Sequence, residues 1–249
     1  MKFLCVVLFM SNIFCSDVLI LGHRGAKGIE PENTLLAFQK AAEYGADGIE
    51  FDVQLCKSGE DVIFHDDDTL QITGQNYLIA ESTVAELKSL DVGKGQQIPT
   101  LGELLDFVHG KFKILNVELK GPGSAGPVVK KIEKLVASGK WSYSDFVVTS
   151  FKWNEIEDVC SLSSDIIVGL LMKEDLEWQA MAKKVNAKYL VVDVKIINEQ
   201  IVKQAISAGL SAWVFTVNDL DDSKRLIEMG VTGLITDFPN LITKTKLEN

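Results

Sequence analysis

Short apolar runs alternate with longer amphipathic stretches along most of the chain. Eight of these runs have the length and composition of buried strands, and each is followed by apolar positions at helical spacing. The predicted strands cover residues 18–21, 49–55, 114–120, 146–150, 166–172, 189–192, 212–217 and 233–236. Repeated strand–helix units imply right-handed crossovers and a parallel sheet. Eight such units predict an α/β protein whose sheet closes into a (β/α)8 TIM barrel.

An open doubly wound sheet is the competing architecture for a chain of this pattern. It fits less well, because no Gly-x-Gly-x-x-Gly sequence follows the first predicted strand. The regular rhythm is interrupted only after the second strand, where a turn at 57–60 and the apolar triplet 62–64 predict a hairpin. Residues from about 66 to 98 are irregular and have too few apolar side chains for a core of their own. We therefore predict a small insertion within one barrel domain spanning residues 17–249.

The first sixteen residues differ in composition from the rest. One lysine precedes the apolar run 3–10, and a short polar and mixed stretch ends at Ser16. This pattern predicts a secretory signal peptide over residues 1–16, and hence a secreted or periplasmic protein. The alternative is an uncleaved apolar lead-in or membrane-proximal anchor, and a cytoplasmic location if the segment is not a signal.

Charge and cysteine content exclude some functions. The 249 residues carry a formal net charge of −10, which argues against a nucleic-acid partner but not against an anionic substrate in a locally cationic cleft. Of the four cysteines, Cys56 and Cys160 lie outside the leader, and no Cys-x-x-Cys sequence indicates structural zinc. We expect both to be ordinary thiols, although the spacing does not decide whether they pair.

Two predicted strands direct acidic side chains to one face. Period-two alternation places Glu50 and Asp52 on the same side of the second strand, and Glu118 and Lys120 on the same side of the strand 114–120. Buried carboxylates are costly unless a positive charge neutralises them. Three of them suit a hard divalent cation such as Mg²⁺ or Ca²⁺. The alternative is a salt-bridge network with Arg24 and Lys120.

Two of the three histidines also fall at predicted strand ends. His23 lies in the sequence Gly22-His23-Arg24-Gly25 directly after the first strand, and His65 follows the hairpin. Active sites of barrel enzymes lie at the carboxyl ends of the strands, and a pair of histidines there can act as general acid and general base. The third, His109, follows a predicted helix and is expected to cap it or to lie at the surface.

These residues belong to an ordered set of short motifs that resembles the glycerophosphodiester phosphodiesterase family. The set begins near residue 20, ends near residue 240 and keeps the order of the family. Its main members are Gly22-His23-Arg24-Gly25, Pro31-Glu32-Asn33-Thr34, Glu50-x-Asp52, His65-Asp66 and Glu118-Leu119-Lys120, with supporting matches at 86–88, 99–101, 213–218 and 233–239. One motif alone is weak, but the ordered set is specific.

The resemblance implies a TIM barrel that hydrolyses small glycerophosphodiesters to glycerol 3-phosphate and an alcohol. It implies a divalent metal, Mg²⁺ or Ca²⁺, on Glu50, Asp52 and Glu118. It makes no provision for a nucleic-acid partner, and it leaves peripheral contact with lipid and the oligomeric state open.

The resemblance also implies individual roles for side chains. His23 and His65 are expected to perform acid/base catalysis, without an assignment of which is acid and which is base. Arg24 and Lys120 are expected to contact the substrate phosphate. Phe215 is expected to supply an apolar wall of the substrate pocket, at a position where many family members carry tryptophan.

Three alternatives stay open at the level of sequence. A related phosphodiesterase of the lysophospholipase D type would act on lysophospholipids at a membrane surface, and the triplet Tyr77-Leu78-Ile79 is the candidate apolar loop. A more distant barrel relative would cleave by internal cyclisation and leave a cyclic product. A catalytically inactive barrel would bind phosphodiesters without turnover.

Overall fold

The structure, a computed structural model, describes residues 18–174, residues 177–243 and Leu247, so the predicted signal peptide lies outside the described residues. The strands are β1 (Leu19–Gly22), β2 (Gly48–Leu55), β3 (Asp61–Ile63), β4 (Ile114–Leu119), β5 (Phe146–Ser150), β6 (Val168–Met172), β7 (Tyr189–Asp193), β8 (Ser211–Phe215) and β9 (Gly233–Thr236). The helices are α1 (Leu35–Glu43), α2 (Leu70–Thr73), α3 (Val84–Lys88), α4 (Leu101–Val108), α5 (Ala125–Ala137), α6 (Trp153–Leu162), α7 (Gln179–Lys184), α8 (Glu199–Ser207) and α9 (Leu220–Glu228).

Eight parallel strands close into a barrel, which confirms the predicted fold. The neighbours run in the order β1, β9, β8, β7, β6, β5, β4, β2, and β1 also pairs with β2. Leu21 of β1 lies opposite Gly48 of β2 on one side and opposite Ile235 of β9 on the other. The open doubly wound architecture is excluded because an open sheet has two edge strands, whereas each of these eight parallel strands pairs with a neighbour on both sides.

The extra strand β3 is antiparallel to β2 and makes the predicted hairpin. Val53 of β2 lies opposite Ile63 of β3. The segment that follows β3 contains the short helices α2 and α3, and its apolar side chains pack with the hairpin in a small cluster of their own. That cluster includes Cys56, Val62, Phe64, Ile79 and Leu87. The hairpin and the segment after it therefore border the carboxyl end of β2, where the acidic residues lie.

Alternation along the strands separates the core into two regions. Ile49, Phe51 and Val53 of β2 face the large apolar core between the barrel and its helices. Inside the barrel a smaller apolar cluster includes Leu21 and Trp213. Because that cluster fills the interior nearer the amino ends of the strands, the inward-facing positions at the carboxyl ends are left for polar side chains.

The start of α1 is capped by one of two adjacent residues that could do so, Asn33 and Thr34. Thr34 is the N-cap, and its Oγ1 accepts a hydrogen bond from the backbone N–H of Ala37. Asn33 instead has a φ of 58° and is buried. Its side chain is therefore not used to begin the helix and is available to the site described below.

Two further features concern the whole described chain. Cys56 and Cys160 are free thiols. None of the helices in the described ranges is long and apolar enough to cross a bilayer.

Candidate active site

A cavity of about 530 Å³ opens at the carboxyl end of the barrel. Six of the eight side chains predicted from the sequence line it, namely His23, Arg24, His65, Glu118, Lys120 and Phe215. The remaining two, Glu50 and Asp52, contact this lining through Arg24. The barrel thus brings together residues that lie almost 200 positions apart in the chain.

Three buried carboxylates lie together at the cavity, and one of them, Glu118, belongs to its lining. Ligand oxygens of Glu50, Asp52 and Glu118 lie within 4.8 Å of one another. Their relative exposures are 3%, 1% and 8%. Oε1 of Glu50 and Oδ1 of Asp52 accept no hydrogen bond from any described residue. Buried carboxylate oxygens without donors need either a proton or a cation, and three of them this close together fit a divalent metal ion with oxygen ligands.

The ion pairs of a salt-bridge network are present as well, but they do not satisfy the cluster. Nζ of Lys120 lies 2.9 Å from Oε1 of Glu118 and 3.9 Å from Oδ1 of Asp52. Nε of Arg24 lies 3.3 Å from Oδ2 of Asp52, while its Nη1 donates to Oε1 of Glu32 at 2.6 Å. Arg24 and Lys120 therefore face the three buried carboxylates and Glu32, which leaves negative charge uncompensated.

Burial and mutual repulsion shift the titration of these carboxyl groups. Burial, followed by the charges of Asp52 and Glu118, raises the pKa of Glu50 well above its ordinary value. Burial and the charge of Asp52 raise the pKa of Glu118 to about 7. Burial acts in the same direction on Asp52, but Arg24, His65 and Lys120 outweigh it and lower the pKa of that carboxyl. Without a cation, the cluster retains protons near neutral pH.

Arg24 is held by its backbone as well as by its side chain. Its φ is 49°, in the left-handed region, and its N–H donates to Oε2 of Glu50 at 2.9 Å. The turn that produces this conformation lies directly after β1. The strained backbone and the fixed guanidinium together place a cation at the edge of the acidic cluster.

Asn33 is a site residue that the sequence interpretation missed. Its Nδ2 donates to Oδ2 of Asp52 at 2.8 Å, and its side chain is buried. The motif Pro31-Glu32-Asn33-Thr34 indicates a helix start and carries part of the family resemblance. The motif alone does not indicate that Asn33 contacts the site. Its position directly before α1 and shortly after the His23 loop was the available signal.

His23 is positioned by a second residue that was not predicted. Its Nδ1 lies 2.6 Å from Oδ1 of Asp237, and its Nε2 lies 3.9 Å from Oε2 of Glu50. Asp237 also accepts a hydrogen bond from Nδ2 of Asn218 at 2.8 Å. Burial raises the pKa of Asp237, but the hydrogen bond and charge of His23 outweigh it and leave this pKa below its ordinary value. An acidic residue directly after the last strand was the signal for it.

His65 lies across the cavity with a carboxylate of its own. Its Nδ1 lies 2.6 Å from Oδ1 of Asp66. Burial lowers the pKa of His65, and although Asp52 acts against this, Arg24 and Lys120 add to the lowering. The ring is therefore neutral near pH 7 and can accept a proton.

The remaining predicted residues divide between the cavity and the surface. Phe215 packs edge to face against Phe151, with ring centroids 5.8 Å apart, and both rings line the cavity. His109 lies outside the site, where its Nε2 hydrogen-bonds with the carbonyl oxygen of Lys140, consistent with the expected position after α4.

A closed (β/α)8 barrel with clustered ionisable side chains at the carboxyl ends of its strands is the architecture of an enzyme. The sequence model described as "Glycerophosphoryl diester phosphodiesterase family" matches residues 23–241. The chain belongs to this family, and it is an enzyme of the glycerophosphodiester phosphodiesterase class.

The relatives and the solved structure described here each align with almost the whole chain. A glycerophosphodiester phosphodiesterase of Caldanaerobacter subterraneus subsp. tengcongensis is 33% identical, over 91% of this chain and 98% of its own. One of Bacillus subtilis is 30% identical, over 94% and 89%. The structure of an Oleispira antarctica phosphodiesterase, in complex with the product sn-glycerol-3-phosphate, superposes with a TM-score of 0.85 at 28% identity, over 94% of this chain and 98% of that chain.

Proposed function

We propose that this protein is a metal-dependent hydrolase that converts glycerophosphodiesters to glycerol 3-phosphate and an alcohol, with two histidines as acid and base. One observation carries the proposal. Three buried carboxylates with unsatisfied oxygens lie beneath the same cavity that His23 and His65 line. The sn-glycerol-3-phosphate bound to the Oleispira antarctica phosphodiesterase supports a product of the same class here.

Glu50, Asp52 and Glu118 would hold the cation, with Mg²⁺ and Ca²⁺ as the candidates. When bound, a divalent ion supplies positive charge that offsets the charge of a phosphoryl oxygen in the transition state. Asn33 keeps the Asp52 carboxylate in place, and the backbone N–H of Arg24 does the same for Glu50.

We assign the acceptor role to His65 and the donor role to His23. The lowered pKa of His65 leaves its ring neutral, so it takes the proton from the attacking water as the new P–O bond forms. The Asp237 carboxylate, 2.6 Å from Nδ1 of His23, orients the ring of that histidine. With His65 as the acceptor, His23 gives its proton to the oxygen of the departing alcohol as the old P–O bond breaks, and atoms and charge balance over the step.

The cationic side chains and the aromatic wall position the substrate. Arg24 and Lys120 lie at the rim of the acidic cluster and contact the phosphoryl oxygens that face them. Phe215, packed on Phe151, borders the substituent of the phosphate as an apolar surface. These contacts orient the diester between the two histidines.

The direct test is release of glycerol 3-phosphate from glycerophosphocholine by the purified protein. EDTA is expected to abolish release, and Mg²⁺ or Ca²⁺ to restore it. His23→Ala and His65→Ala are each expected to lower kcat by about 10²–10⁴-fold. His109→Ala is the matched control, because that ring lies outside the cavity, and it is expected to keep wild-type turnover. Wild-type turnover in both site variants would contradict the assignment.

A lysophospholipase D activity draws support from one surface feature. Leu70 and Leu78, in the segment that follows His65, are 50% and 44% exposed, whereas Ile79 beside Leu78 is buried. Exposed leucines in a segment that follows a cavity-lining histidine can contact a lipid surface. Choline release from lysophosphatidylcholine by the purified protein tests this activity.

Internal cyclisation and binding without turnover would each give a distinct result with glycerophosphocholine. A phosphorus NMR time course reveals a cyclic phosphate if a neighbouring glycerol hydroxyl replaces water as the nucleophile. Binding of the diester without turnover, at any metal or pH, would indicate an inactive phosphodiester-binding barrel.

A separate proposal is that residues 1–16 act as a signal peptide and direct secretion of the protein. Removal of this segment would leave a mature chain that begins near residue 17. Amino-terminal sequencing of the mature protein tests it, and a protein that retains Met1 or Lys2 would contradict cleavage.

A further inference from the structure

The cavity has a second cationic wall, away from the carboxylate cluster. Lys152 follows β5 and Lys173 follows β6, and both line the cavity. Nζ of Lys173 lies 5.4 Å from the centroid of the Phe151 ring, and Nζ of Lys120 lies 5.8 Å from the same centroid. One aromatic ring in the substrate cavity is thus already faced by two ammonium groups.

The charge on this wall is not neutralised by its neighbours. Lys173 makes no ion pair with a carboxylate in the part of the chain that the structure describes, and Lys152 donates to the backbone oxygen of Lys120. Of the cavity carboxylates, Glu118 is paired with Lys120 and Asp66 with His65, and Asp67 lies with Asp66 after β3. The cavity lining at the ends of β5 and β6 therefore contains two ammonium groups and no carboxylate.

An aromatic wall without these lysines would suit a quaternary ammonium group, because the face of a ring attracts cations. Here the ammonium group of Lys173 already occupies that environment, while that of Lys120 is paired with Glu118, and a further cation meets the repulsion of Lys173. An anionic group in the same place is attracted by Lys173. The wall consequently discriminates by the charge of the substituent that it contacts.

We propose that Lys173, supported by Lys152, forms a head-group subsite that selects glycerophosphodiesters with anionic head groups over those with quaternary ammonium head groups. The proposal rests on the proposed function and specifies its substrate class. Lys173 is a specificity-determining residue in this assignment, and it takes no part in proton transfer.

The geometry favours the head group, rather than the glycerol, on this side. The acidic cluster with Arg24 and Lys120 fixes the phosphate. The cavity lining includes Phe151 and Lys173, which follow β5 and β6, and Asp66 and Asp67, which follow β3 beside β2. Glycerol is the same in every substrate and carries no charge for an ammonium group to recognise. Lys173 stabilises a bound anionic head group, and hydrogen-bond acceptors such as Asp67 stabilise the bound glycerol.

The test compares kcat/KM for three substrates that differ in head-group charge, namely glycerophosphocholine, glycerophosphoglycerol and glycerophosphoinositol 4-phosphate. Wild type is expected to prefer the phosphorylated head group over choline. Lys173→Glu is expected to shift the ratio of kcat/KM for the phosphorylated substrate to kcat/KM for the choline substrate by about tenfold in favour of choline. Lys173→Gln is expected to shift the same ratio by about threefold. The preference is also expected to shrink in high salt, since Lys173 is exposed.

Lys188→Glu is the matched control. It makes the same change of charge just before β7, at the opposite end of the barrel, and is expected to leave the ratio at its wild-type value. Thermal unfolding of each variant separates loss of folding from loss of selectivity, because a misfolded variant loses activity on all three substrates together. An unchanged ratio in both Lys173 variants would overturn the proposal.

A further variant tests the direction of binding. Asp67→Asn is expected to leave the ratio within about twofold of wild type. A selective loss of activity on the choline substrate in this variant would place the head group on the acidic side instead and overturn the assignment. Failure to release glycerol 3-phosphate from any of the three substrates, with folded protein and added metal, would overturn the proposed function itself, which distinguishes the two outcomes.

Discussion

Nδ1 of His23 lies 2.6 Å from Oδ1 of Asp237, across a separation of 214 residues in the chain. The contact exists because β1 and β9 are neighbours in the closed barrel, with Gly22 opposite Thr236. In the proposed mechanism, a carboxylate on Nδ1 fixes the tautomer of the ring, and Nε2 faces the reacting phosphate. The first and last strands of the barrel thus each supply half of the proposed catalytic unit.

Replacing Asp237 with asparagine tests this unit. Asp237→Asn keeps the size of the side chain but removes the negative charge that faces Nδ1 of His23. We expect kcat to fall by about 10–10³-fold, with KM changed much less, because the ground-state contacts of the substrate are retained. Steady-state kinetics on glycerophosphoglycerol measure both constants. A rise in KM at constant kcat would assign Asp237 to substrate binding instead.

Asn33 is expected to determine how tightly the acidic cluster holds its metal. Asn33→Gly removes the amide that binds Asp52 but tolerates the φ of 58°, so backbone strain does not obscure the result. We expect the affinity for Mg²⁺ to fall by about 10–100-fold, with activity restored at high metal concentration. Asn186→Gly is the control, since Asn186 also has a positive φ but lies outside the cavity. Equal metal affinity in wild type and Asn33→Gly would refute the role.

Metal binding is expected to release protons. Burial raises the pKa of Glu50 well above its ordinary value and that of Glu118 to about 7, so Glu118 is partly protonated near pH 6.5, and a cation requires the ionised carboxylates. We expect the affinity for Mg²⁺ to increase with pH up to about 8, and the number of protons released on binding to decline above that pH. Calorimetric titration with Mg²⁺ in buffers of different ionisation enthalpy measures the release. Glu118→Gln should reduce it, and a buffer-independent heat at pH 6.5 would contradict the prediction.

Asp61 is expected to destabilise the protein at neutral and higher pH. Its Oδ1 is buried without a hydrogen-bond partner among the described residues, and burial raises its pKa to about 7, although Lys131 partly opposes this. The native state therefore binds more protons than the unfolded state between about pH 4 and pH 7, and the free energy of unfolding falls as pH rises through that window.

Asp61→Asn removes this titration. We expect the variant to match wild type near pH 4 and to exceed it by about 2–4 kcal/mol above pH 7. Urea unfolding across the pH range measures the difference. Asp106→Asn, at an exposed position of α4, is the control and should show no such pH-dependent gain. A constant difference between Asp61→Asn and wild type at all pH values would refute the explanation.

Period-two alternation was sufficient to predict much of the site. Every second residue of a strand shares a face whatever surrounds it, so the spacing of Glu50 and Asp52 alone predicts that they lie together. The strand rhythm predicted the barrel, and a barrel places the ends of β2 and β4 at the same mouth, which brought Glu118 to the same cluster. The resemblance to a known family added roles to these residues, and those roles await the experiments above.

What the sequence by itself determined was therefore local. It specified which segments form strands, which side chains share a face, and which strand ends carry ionisable groups, because these follow from backbone geometry within a few residues. Only the tertiary structure decided which loops meet. Asp237 reaches His23 through barrel closure, Asn33 reaches Asp52 through a left-handed turn, and Lys173 reaches Phe151 across two neighbouring strands. Such contacts depend on the register and curvature of the closed sheet, which no short segment of the chain encodes.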